Sequence, residues 1–138
     1  MAYCTRDDMI SRFSEREIIQ LTDHEGLGLI DELVLSQSIS DASAEIDGYL
    51  AAYSLPLESP PTLLSRSCCD VARYYLYDDQ MTDQVERRYE AVIKYLSQIA
   101  KGNISLGLNP EGESVDADDL VEMQSAASVF GRSSSGFI

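Results

Sequence analysis

The sequence predicts an all-α fold, a small helical bundle followed by an extended C-terminal arm. Three observations carry this reading. Apolar residues recur at helical spacing in three long stretches, about residues 41–53, 61–77 and 83–101. Capping residues and prolines sit where those stretches begin and end. Beyond Gly102 the periodicity stops, and the chain turns acidic, then rich in Ser and Gly.

Taken in order, Thr5 is placed to cap a short helix running to Phe13, with Asp7 and Asp8 in its first turn and Met9 and Phe13 four apart. Ser14 and Glu17 have the spacing of a capping box, and Ile18 and Leu21 supply the buried side of a second short helix. TDHEGLG, residues 22–28, reads as a solvated loop. LIDELVL after it fits a helix or an extended segment equally. From a cap near Ser40, Ala42, Ile46, Tyr49, Leu50 and Tyr53 define an amphipathic helix with Glu45 and Asp47 outside it. Pro56 cannot continue that helix, and Pro60 and Pro61 suit the first turn of the next. There Leu64, Cys68, Val71, Ala72 and Tyr75 share a face, while Tyr74 and Tyr77 lie on the other side, each hydroxyl expected to reach water or a partner. Thr82 caps the last helix, whose stripe is Val85, Tyr89, Val92, Ile93, Leu96, Ile99 and Ala100. Asp83 with Arg87 and Glu90 with Lys94 have favourable i,i+4 spacing, and Lys101 and Gly102 form its stop.

The organisation is therefore a helical domain, 1–102, and an interaction arm, 103–138. ISLGL at the start of the arm has the alternation of a short strand, with Ile104, Leu106 and Leu108 on one side. The arm ends in SVFGRSSSGFI, which places Phe130, Phe137 and Ile138 on a segment with no core of its own. Ordering such a segment costs about 1–2 kcal/mol per residue. Burying a phenylalanine returns only about 1.5–3 kcal/mol. Ile104, Leu106, Leu108, Phe130, Arg132, Phe137 and Ile138 are accordingly expected to bind partners that supply the missing surface.

Composition narrows the function. Ten basic residues face 24 acids in 138 residues, a net charge of −14 that repels phosphate backbones and argues against sequence-specific DNA binding. No apolar run approaches the roughly 20 residues of a membrane span, and MAYCTRDDM lacks the features of a secretory signal. Cys4, Cys68 and Cys69 are an odd set suited to a reducing cytosol, with Cys68 as a small core residue. Asp23, His24 and Glu25 carry ligand atoms side by side, but neighbours in a turn point apart, so no metal site is expected. No nucleophile-and-base signature or phosphate-cradling loop is present, and neither an enzyme nor a cofactor is expected.

Three stretches together resemble the head-completion proteins of Mu-like prophages. The opening, MAYCTRDDMISRFSEREIIQLTD, is similar through Tyr3, Thr5, Asp8, Arg12, Phe13, Leu21, Thr22 and Asp23. The middle is similar through Ile46, Asp47, Tyr49, Leu50, Leu55, Pro56, Asp70, Ala72 and Tyr74. VERRYEAVIKYLSQIAKGNISLGL resembles the final helix and the glycine after it, and Phe130-Gly131-Arg132 with Gly136-Phe137 resembles the family's ending. One departure is Ala52 before Tyr53, where an arginine is expected. The resemblance implies a head-to-tail adaptor made in the bacterial cytoplasm and built into the virion. Its partners would be copies of itself in a dodecameric ring, the portal protein, and a tail terminator or other neck protein, with DNA passing through unbound. An acidic DNA-mimic inhibitor and a tail-completion protein are the alternatives.

Overall fold

The computed structural model describes residues 2–113. Among these, five α-helices and one short 3-10 turn form the fold, and no strand is present. Helix α1, Arg6–Phe13, opens on the expected cap: the Thr5 hydroxyl accepts from the Asp8 amide at 3.1 Å, and the Asp8 carboxylate accepts from the Thr5 amide at 2.9 Å. Ser14 both ends α1 and begins α2, Glu15–Thr22. Its amide donates to the Ile10 carbonyl at 2.8 Å, and its hydroxyl accepts from the Glu17 amide at 3.3 Å. The sharp reversal between the helices holds Ser14 at φ +80°, where a side chain is strained. Only half of the expected capping box forms, because the Glu17 carboxylate turns away to Arg73 and Tyr77.

The third helix corrects the sequence reading at both ends. Helix α3 spans Glu32–Gly48 and is capped by Asp31, whose carboxylate accepts from the amides of Leu33 and Val34, so Ser40 lies inside it. Its buried side, Leu35, Ser38, Ile39, Ala42, Ser43 and Ile46, is one continuous stripe. Leu33, 77% exposed, obscures that stripe in the sequence. The helix stops at Gly48 rather than Tyr53, and hydrogen-bonded turns carry Leu50 fully into the core and leave Tyr53 half-buried.

Helix α4, Thr62–Tyr77, starts one residue after Pro61 and buries Leu64, Ser67, Cys68, Cys69, Val71 and Ala72. The 3-10 turn Asp78–Gln80 leads to α5, Asp83–Ala100, where the Thr82 hydroxyl accepts from the Val85 amide and Val85, Val92, Leu96 and Ile99 are buried. The pairs Asp83–Arg87 and Glu90–Lys94 are not among the ion pairs of the described residues. Helix α4 is the central element, packed by α3 on one side and α5 on another, with α1 and α2 also against it. Leu33 and Leu76 line one groove and Leu63 and Tyr95 another, so α3, α4 and α5 run up, down and up. The three thiols are free and buried, with the Cys4 and Cys68 sulfurs 3.0 Å apart. Burial and the hydrogen bond to Cys68, the larger cause, push the Cys4 thiol up.

Candidate interaction surfaces

Polar residues first tie the helices to one another. Glu45 on α3 accepts from the hydroxyls of Tyr75 on α4 and Tyr89 on α5, the latter at 3.0 Å. The ring of Tyr89 stacks on Tyr74 with centroids 3.8 Å apart. Burial, reinforced by the bond to Glu45, raises the Tyr75 phenol and pushes Tyr89 up to about 12. The sequence places Glu45 outside its helix, and nothing in the local pattern marks it as a joint between three helices. Glu17 plays a similar part in the N-terminal half: Arg73 donates to it at 2.7 Å and Tyr77 at 3.0 Å. The guanidinium of Arg73 also lies 4.4 Å from the centroid of the Phe13 ring.

A second constellation faces outward. Arg12, Arg66 and Arg88 surround Asp70 and, with Phe13, line a cavity of about 310 Å³. It shares Arg66, Asp70 and Arg88 with a neighbouring groove between α4 and α5 whose other walls include Leu63, Val92 and Tyr95. Burial holds the Asp70 carboxyl above its ordinary value, against the pull of Arg88, Arg66, Arg73 and Arg12. Arg88 approaches Asp70 only to 4.0 Å, and Arg12, Arg66 and Arg87 close no ion pair among the described residues. These arginines come from three helices, so the sequence shows only the Arg87–Arg88 pair.

The arm residues separate. Leu108, expected at an interface, is 8% exposed and belongs to the chain's own core. Leu106 is half-buried against that core and its amide lies 3.4 Å from the Tyr53 hydroxyl, while Ile104 is exposed. ISLGL forms no strand; Leu108 makes only an isolated bridge, and Leu106 and Leu108 pack on the helical domain. The next residues are also tied down: the Ser54 amide donates to the Pro110 carbonyl at 2.7 Å, and the Ser59 amide to the Gly112 carbonyl at 3.2 Å. Gly112, at φ +85°, lies so close to Leu57 that an added Cβ would sit 3.1 Å from its side chain. Phe130, Arg132, Phe137 and Ile138 lie outside the described residues.

In the DHE stretch, the Asp23 carboxylate accepts from the amides of Leu27 and Gly28 at 2.9 and 2.7 Å, and those bonds lower its pKa. Asp23 therefore organises the loop. Among the described residues no three His, Cys, Asp or Glu side chains converge to hold a metal, and no helix is long and apolar enough to cross a membrane. The same loop exposes Leu27 and Leu29, at 68% and 67%, apolar residues to which the sequence reading gave no role.

These features define a class, a small all-α domain with an arginine-lined groove on an otherwise acidic chain. The chain belongs to the family described as Bacteriophage Mu, Gp36, which matches residues 3–125. It is 39% identical to the Mu-like prophage FluMu protein gp36 of Haemophilus influenzae over 138 residues, covering 99% of this chain and 98% of that protein. It is 40% identical to gene product J of Escherichia phage Mu over 146 residues, covering both chains in full. The protein is thus a Mu-like phage protein.

Proposed function

We propose that this protein is a structural head-to-tail adaptor, a head-completion or neck protein that forms a ring below the portal and bridges it to the tail. The reading is supported by a helical core that the described residues build by themselves, followed in the sequence by a Ser- and Gly-rich segment that carries Phe130, Phe137 and Ile138. Among the described residues the last member of the core cluster is Leu108, and the chain carries Phe130, Phe137 and Ile138 beyond them. In a ring, each copy is held by its neighbours and by its arm, so modest contacts multiply. Phe130, Arg132, Phe137 and Ile138 are the residues assigned to neighbouring copies or the portal, and Ile104 joins them from the exposed side of the arm's root. The net charge of −14 suits a channel wall that lets DNA slide past. The role is one of assembly rather than catalysis, and the site of action is the virion.

The test is genetic and structural. Phage lacking this chain should accumulate filled heads and finished tails that do not join, and imaging of complete particles should place it between portal and tail. Normal yields of joined particles without the chain would end the proposal.

A further inference from the structure

We infer that the arginine groove between α4 and α5 is the docking site for the acidic segment, residues 114–122, of a second copy of this chain. The inference deepens the ring reading and rests on it, since it names the contact that joins one subunit to the next. Its first support is an imbalance. Acids outnumber basic residues 24 to ten, so an exposed arginine would find a carboxylate easily. Yet Arg12, Arg66 and Arg88 gather on one face with only Asp70 among them. Grouping like charges this way costs stability and is found where a partner supplies the opposite sign.

The second support is complementarity. Of the six acids in the last 36 residues, four, Asp116, Asp118, Asp119 and Glu122, fall in this segment, and no basic residue interrupts them. Val115, Leu120 and Val121 lie next to those acids, matching Leu63, Val92 and Tyr95 beside the arginines. The groove therefore offers both things that such a segment lacks, cations and apolar surface. Reach is the third. The described chain ends at Glu113, just past the tie between Gly112 and Ser59, and the five residues 114–118 can carry Asp118 up to about 17 Å from there at ~3.3 Å each. One copy's segment can thus enter the groove of a copy packed directly beside it. A contact between two different patches of identical chains is the kind that closes into a ring.

Full-length chains carrying either Ala91→Cys in the groove or Ala117→Cys in the acidic segment, one of them mass-tagged, would be mixed and treated with a short bis-maleimide. The native thiols are buried and stay out of the reaction. The expected product is a dimer joining the two variants. Its yield should fall about tenfold when the groove chain also carries Arg66→Glu and Arg88→Glu, and should recover when its partner carries Asp118→Arg and Asp119→Arg. Both arginines are exposed, and an unchanged circular dichroism spectrum would verify the fold. A crosslink confined to a single chain carrying both cysteines, no crosslink, or a yield indifferent to charge reversal would overturn the inference. So would duplex DNA bound through Arg66, which would make the groove a phosphate site. Phage bearing the Arg66→Glu, Arg88→Glu chain that join heads to tails normally would refute the docking and leave the neck role standing. A strong charge-dependent crosslink from a chain absent from particles would uphold the docking and remove the neck role.

Discussion

Replacing Arg73 with methionine tests whether the N-terminal helix pair is held to α4 mainly by one guanidinium. The substitution keeps an unbranched apolar stem but removes the ion pair to Glu17, formed at 2.7 Å between side chains only 12% and 22% exposed. A hydrogen bond to a charged partner contributes about 1.5–3 kcal/mol, and the contact with the Phe13 ring about 0.5–2 kcal/mol. Glu17 would keep its bond from Tyr77 and so would not be orphaned, which holds the loss below that of a fully broken buried pair. The expected cost is about 2–4 kcal/mol, a large fraction of the roughly 5–15 kcal/mol typical of a domain. Urea unfolding should show a lower midpoint with an unchanged slope. Arg87→Met is the control: Arg87 is exposed and pairs with no acid among the described residues, so its loss should stay within about 0.5 kcal/mol. If Arg73→Met matched that control, the Phe13–Glu17–Arg73–Tyr77 cluster would not be what fastens the two halves.

Three further predictions follow from particular positions. Leu96 is fully buried, so Leu96→Ala should cost about 2–5 kcal/mol by the same urea assay. Ser14→Gly should stabilise by about 1 kcal/mol, because relief at φ +80° outweighs the few tenths lost from the cap, whereas Ser14→Ala should destabilise by a similar amount; thermal melts of the pair would separate strain from capping. Tyr89 titrates near 12 in the folded chain against about 10 when unfolded, so the folded state holds its proton more tightly. Its contribution is complete below pH ~10 and fades as pH rises from ~10 through 12, and Tyr89→Phe should flatten that alkaline decline in a series of melts.

Much of the helical pattern is legible in the sequence because capping is local. Thr5, Ser14 and Thr82 each bond an amide three residues on, a relation that spacing alone reveals. Helix α3 was harder: the exposed Leu33 and the buried Ser38 and Ser43 blur its apolar stripe, and Tyr49 to Tyr53 mimic a further turn that Gly48 has already ended. Leu108 escaped for a different reason. Its burial depends on residues 50 to 60 meeting residues 106 to 112, and periodicity carries no information about contacts between segments so far apart. The same limit hid the arginine groove, whose members belong to α1, α4 and α5.

Phenols make many of the fold's polar joints, beside the Arg73–Glu17 and Arg6–Glu32 ion pairs. Tyr3 donates to Asp47, Tyr75 and Tyr89 to Glu45, and Tyr77 to Glu17. A neutral hydroxyl bound to a carboxylate is little weakened by dissolved ions, whereas exposed guanidinium–carboxylate attraction is screened over about 8–10 Å at ordinary ionic strength. The fold of the single chain and the contact inferred above between arm and groove therefore answer to different solution conditions. If arm and groove pair as inferred above, raising the salt concentration should loosen that pairing while leaving each helical domain intact.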